Sequence, residues 1–133
     1  MRSIILSILL FCTLQSFAKA QPDCSGDAGF KDKQELTKFT DSLRTADSAE
    51  SMSPLISYPL TVNETQKKHF LIKNEAELKA RFEKAFSSEI LKAIHDQDPK
   101  VMFCNYQGLT IGGGAVWINK KNGKTGIFVV NAR

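Results

Sequence analysis

Apolar residues recur at Phe30, Leu36, Phe39, Leu43 and Ala46, the spacing of one helical face, and predict a helix from about Lys31 to Ala46. Ser25, Gly26, Asp27 and Gly29 form a polar entry to it, and Asp47, Ser48, Ser51 and Ser53 mark the turn that follows. From Pro54 the pattern becomes extended over Leu55 to Val62, where Pro59 removes one ladder donor, so this strand is expected at a sheet edge or bulged there. Asn63 and Glu64 make the next turn, and Lys68 to Ile72 returns as the hairpin partner. Asn74 with Glu77 three residues later has the form of an N-cap with a partial capping box. Leu78, Phe82, Ala85 and Phe86 continue on one face and predict a second helix from about Glu75 to Phe86. Ser87 and Ser88 can cap a short third helix carrying Ile90, Leu91 and Ile94, which Asp98 and Pro99 end.

Beyond Pro99 the hydrophobic period changes from that of a helix to that of a strand. Val101 to Gln107, Leu109 to Asn119 and Lys124 to Asn131 read as three strands, and Asn122-Gly123 is the sharpest hairpin signal in the chain. The order of helix, hairpin, two helices and a run of strands predicts one α+β domain over residues 21–133, with helices packed on a curved, mainly antiparallel sheet. Gly112, Gly113 and Gly114 interrupt the second long strand, and a bend or bulge is expected there. No Lys-Ser/Thr pair follows them and no helix begins there, so phosphate-loop and dinucleotide patterns are not met.

Residues 1–20 have another character. Arg2 gives a positive start, Ile4 to Phe11 is an apolar run, and Ala18-Lys19-Ala20 fits a small-x-small cleavage site, the pattern of a secretory signal peptide cleaved after Ala20. The expected location is the periplasm or the exterior. Thr13, Gln15 and Ser16 break the run short of the roughly 20 apolar residues of a membrane span, so no stable membrane anchor is expected. Cys24 stands behind Gln21, Pro22 and Asp23, too far from the cleavage point for lipidation. Export also changes the charge. Taking Arg2 and Lys19 from 18 Lys+Arg leaves 16 against 14 Asp+Glu, a net charge of +2 in place of +4. That is too small to favour nucleic acid or an acidic membrane. Cys12 leaves with the leader, and the remaining Cys24 and Cys104 are expected to form a disulfide in an oxidising compartment.

The amphipathic N-terminal helix, Ile56-Ser57-Tyr58-Pro59-Leu60, Ile72-Lys73-Asn74-Glu75 and the run from Asn105-Tyr106-Gln107-Gly108 to Ala115-Val116-Trp117-Ile118 carry a likeness. Over roughly residues 31–131 the chain resembles small secreted bacterial proteins of the nuclear-transport-factor-2-like, or cystatin-like cone, superfamily. The resemblance implies a cone whose curved sheet and helices enclose a pocket opening at the wide end. It specifies fold better than function, because that superfamily holds dehydratases, isomerases, epoxide hydrolases, transport factors and binding domains.

Enzymes of such a family need a general acid or base projecting into the cone. From Val101 to Arg133 there is no Asp, Glu or His, so candidates come from elsewhere: His69 with Tyr58 in the first hairpin, and Asp41 or Glu35 on the first helix. Asp41 falls off the apolar face of its helix, where a solvated carboxylate is expected. Alternation puts His69 on the face of Leu71 and opposite Phe70 and Ile72, and a structural or surface histidine is the plainer reading. His95 reads as a helix-end residue. The histidines and cysteines lack ligand spacing, so no metal site and no cofactor is expected. No serine stands in a Gly-x-Ser-x-Gly elbow. Asn63-Glu64-Thr65 is a glycosylation sequon only in a eukaryotic secretory host. Tyr106 and Trp117 are amphipathic aromatics of the kind enriched at interfaces. Alternation places Val101, Phe103 and Asn105 on one face and Met102, Cys104 and Tyr106 on the other. Lys120, Lys121 and Lys124 crowd a hairpin tip, where charge protects against edge pairing.

Three functional readings follow. The first is an exported, non-enzymatic binding or interaction module that meets a small molecule or an envelope protein through a pocket or sheet face, with homodimerisation through the exposed sheet as a further possibility. The second is a periplasmic immunity or inhibitor protein that neutralises a toxin or enzyme. The third is a small-molecule enzyme of isomerase or dehydratase type, with His69 or Asp41 as base and Tyr58 or Tyr106 as hydrogen-bond donor. Scarcity of acid and base groups on the C-terminal strands favours the first.

Overall fold

The computed structural model describes residues 23–132, so the predicted leader and its cleavage point at Ala20 lie outside the described residues. Helix α1, Lys33–Thr45, starts where Asp32 accepts the Glu35 backbone N–H at 2.9 Å and Glu35 reaches back to the Lys31 N–H at 2.7 Å. These bonds satisfy two helix-start donors, and Leu36, Thr40 and Leu43 form the buried stripe. The serine-rich turn expected next is a one-turn helix, α2, Ala49–Met52. Ser48 and Ser51 cap it reciprocally, which is why a loop-forming composition is helical here. A 3-10 turn, Ser53–Leu55, leads into the hairpin of β1, Ile56–Asn63, and β2, His69–Ile72. Helix α3, Glu75–Ala85, begins at the Asn74 cap and α4, Ser88–His95, at the Ser87 cap, both as predicted.

The C-terminal strands depart from the sequence reading in number. The stretch expected as one bent strand from Leu109 to Asn119 is two strands, β4, Gly108–Ile111, and β5, Val116–Lys121. Gly112, Gly113 and Gly114 all have positive φ, 70°, 65° and 96°, so the ladder cannot run through them and the chain reverses, placing Ile111 opposite Val116. With β3, Phe103–Asn105, and β6, Lys124–Asn131, the strands build one six-stranded sheet in the order β2-β1-β6-β5-β4-β3. All neighbours are antiparallel except β1 and β6, the second and third strands of the order, which run parallel. Two antiparallel units meet at that junction, so the fold is α+β on a curved mixed sheet.

Of the two placements that Pro59 allowed, the structure takes the bulge. Strand β1 lies between β2 and β6, and its register against β6 shifts between Ile56 and Thr61. Gly126 marks the same crossing: a Cβ there would stand 2.7 Å from the Leu55 carbonyl oxygen and 2.8 Å from the Ser57 nitrogen. The inner face of the sheet carries two apolar rows. Phe70, Val62, Val130, Val116 and Ile111 form one, and Cys104, Leu109, Ile118 and Ile127 the other. Leu43, Met52, Leu78, Phe86 and Ile94 from the helical layer pack on them, each at most 1 % exposed. Each such side chain contributes about 1.5–3 kcal/mol by leaving water.

Cys24 and Cys104 are joined in a disulfide, with Cα atoms 5.7 Å apart. The bridge ties the N-terminal segment, whose Ala28 and Phe30 belong to the core, to the short edge strand β3. It fits an oxidising, extracellular-type environment. No helix among the described residues is long and apolar enough to cross a membrane.

Candidate functional site

The inner face and the helices fill the space that the superfamily likeness assigns to a pocket. The core between the sheet and the helices includes Leu60, Val62, Phe86, Leu109, Ile118 and Ile127, all apolar and at most 1 % exposed. A separate groove lies between α1 and the β5–β6 turn, bordered by Lys31, Lys38, Lys120, Lys124 and Glu35, with Phe30 and Phe39 in its lining.

The predicted acid–base candidates are not brought together. His69 is exposed on the edge strand β2, paired in register with Asn63. Tyr58 stands five residues back along β1, roughly 16 Å away at the rise of a strand. Burial pushes the Tyr58 phenol above its usual range, which a 2.8 Å hydrogen bond to the Ser53 hydroxyl partly offsets and nearby Glu75 reinforces. Its hydroxyl is engaged with Ser53 at a half-buried position. Asp41 and Glu35 are exposed on α1. His95, at the end of α4, meets the Ala46 carbonyl at 3.2 Å, a helix-end position as read from sequence. Among the described residues no group of three or more His, Cys, Asp or Glu is placed to hold a metal.

The aromatic candidates fare differently. A single row of register partners crosses all six strands on the outer face of the sheet: Phe103, Thr110, Trp117, Val129, Thr61 and Leu71. Phe103 is 61 % exposed and Leu71 44 %, at opposite ends of the row. Beside the row lies a groove of about 570 Å³ that both Tyr106 and Trp117 line. Alternation had put Tyr106 on the face of Met102 and Cys104, which is a correction the structure makes: β3 ends at Asn105, and the turn into β4 carries Tyr106 out to the groove, 87 % exposed.

Sequence reasoning missed the rest of the lining. Phe128 joins Val129 there because the register between β5 and β6 shifts, with Ile118 opposite Ile127 and Trp117 opposite Val129, so Phe128 is the extra residue of a bulge. Asn63, Gln107, Asn119 and Asn131 supply four primary amides. Asn63 donates to the Asn131 side-chain oxygen at 2.9 Å, Asn131 donates to the Gly114 carbonyl at 2.7 Å, and Asn119 donates to the Gln107 carbonyl at 2.9 Å. These bonds fix the orientation of three amides. Among the described lining residues Lys121 alone is charged, and its ammonium sits 4.9 Å from the centre of the Phe128 ring. A signal for these amides did exist, since polar residues alternate with apolar ones in β5 and end β1 and β6, but it is the same signal as ordinary solvent exposure.

No protein-family profile, no curated protein and no solved structure matches the chain.

Proposed function

We propose that this chain is an exported, non-enzymatic binding module of the nuclear-transport-factor-2-like kind, acting in the periplasm or outside the cell through the outer face of its sheet. One observation carries the reading: among the described residues, the sheet face opposite the helices carries a row that runs from exposed Phe103 through Thr110, half-buried Trp117, Val129 and Thr61 to exposed Leu71, with oriented amides beside it, and the groove's described lining contains no acid or base suited to proton transfer. The layered α+β architecture and the disulfide support the superfamily likeness and export. The apolar filling beneath the inner face supports binding over catalysis, since an enzyme of this shape needs an ionisable group facing a hollow.

The test places the photocrosslinking residue p-benzoylphenylalanine at Tyr106, and separately at exposed Asp41 on α1 as a helix-side control. Irradiation of the protein in its native compartment should give an adduct from position 106 that position 41 does not give. Equal adducts at both positions, or none at 106, would remove the outer face from consideration. The mass of the adduct separates a small molecule from an envelope protein or a second copy of the chain.

A further inference from the structure

Resting on the outer-face reading, we infer that the groove around Trp117 is a site for a neutral saccharide. Three properties of its lining select that chemistry. First, Tyr106 and Trp117 offer two aromatic rings to one open groove, one of them 87 % exposed. The weakly positive C–H bonds on one side of a pyranose ring complement the negative face of an aromatic ring, while an unpaired exposed aromatic has no such partner in water.

Second, the polar groups of the lining are amides. Asn63, Gln107, Asn119 and Asn131 bring both donors and acceptors, as vicinal hydroxyls require, because each hydroxyl donates once and accepts. The chain of bonds from Asn63 to Asn131 to the Gly114 carbonyl holds two of these amides in place before any ligand arrives, which lowers the ordering cost of binding. The carbonyl oxygen of the Asn63 side chain and the whole Gln107 side-chain amide make no hydrogen bond among the described residues, leaving an acceptor and a donor–acceptor pair for the ligand.

Third, charge in the groove matches a neutral occupant. No carboxylate lines it among the described residues, which removes the anchor a cationic ligand would use. Its single lysine, Lys121, already has its ammonium over Phe128, so an anionic ligand finds one cation that is partly engaged. Lys31, Lys38, Lys120 and Lys124 line a different groove, against α1, together with Glu35. A groove of about 570 Å³ lies within the usual range for small-molecule sites.

The chain has one tryptophan, Trp117, so its fluorescence reports on this groove and on the adjoining one beside Gly112–Gly114, and variants at Tyr106 and Asn63 assign the response to this groove. The purified protein, disulfide intact, is titrated with a panel of neutral trisaccharides built on glucose, mannose, galactose and N-acetylglucosamine, beside sialylated and uronic-acid counterparts. At least one neutral member should shift Trp117 emission saturably with a Kd of about 1 mM or tighter. Tyr106→Ala and Asn63→Ala should each weaken that binding about tenfold, and Asp41→Ala, exposed on α1, should leave it unchanged. No saturable response to any neutral sugar overturns the inference, as does a response confined to the acidic sugars or one that survives both groove variants. Emission that changes with protein concentration alone, without sugar, assigns the groove to a second copy and also overturns it. Failure of the saccharide assignment is distinguishable from failure of the outer-face reading: in the first case the crosslink at position 106 still forms, but to protein or lipid, and in the second it does not form.

Discussion

Removing the bridge with Cys24→Ala/Cys104→Ala tests how much of the fold depends on a constraint in the unfolded chain. The sequence separation is 80 residues, and closing a loop of that length removes denatured-state entropy equivalent to about 4.5 kcal/mol at 25 °C. Loss of two sulfur atoms from the edge of the core, where Cys24 is 4 % exposed, adds about 1–2 kcal/mol on the folded side. The total rivals the whole stability of an ordinary small domain, about 5–15 kcal/mol. Urea unfolding at 25 °C, followed by Trp117 fluorescence and by circular dichroism, should show a loss of about 5.5–6.5 kcal/mol together with a larger m-value, because the unlinked unfolded chain exposes more surface. Strand β3, three residues long and paired on one side only, should lose hydrogen-exchange protection first. A loss below about 1.5 kcal/mol with an unchanged m-value would refute the account, since the bridge would then constrain neither state.

Other outcomes follow from single positions. Gly126→Ala should cost about 1–3 kcal/mol in thermal or urea unfolding, because its Cβ would press on the β1 backbone, and full stability would contradict that close approach. Leu60→Ala, at a fully buried site on the inner face, should cost about 2–5 kcal/mol by the same measurement. Because burial raises the Tyr58 pKa in the folded state, its stabilising contribution is complete below the unfolded value near 10 and lost as pH climbs through the higher folded one. Urea midpoints taken from about pH 8 to 11 should therefore fall less steeply in Tyr58→Phe than in the parent. That variant should also lose about 1 kcal/mol at neutral pH, where the Ser53 hydrogen bond is gone. His69→Ala, on an exposed edge position, should stay within about 0.5 kcal/mol of the parent in the same urea assay.

Local chemistry explains what was legible in the sequence alone. The caps at Asn74 and Ser87, the apolar stripe Leu36–Leu43 and the Asn122-Gly123 turn are decided by neighbours within a few residues, and all appear where the pattern puts them. The Cys24–Cys104 pairing followed from counting, once Cys12 was assigned to a leader. Even so, the glycine run could not be resolved between a bend and a reversal, because three adjacent residues free to take positive φ permit both until β4 and β5 pair. Likewise Tyr106 and Phe128 defied the simple alternation of a strand. One is carried outward by the end of a strand and the other by a bulge, and both depend on cross-strand register, which no short window of sequence contains. Tertiary structure alone decided that a parallel β1–β6 junction joins two antiparallel units, that the helices leave one sheet face bare, and that Asn63 and Asn131, separated by 68 residues, share a hydrogen bond beside Trp117. Sequence composed the apolar and polar faces, since side-chain direction alternates by covalent geometry; their assembly into a groove required strands distant in the chain to meet.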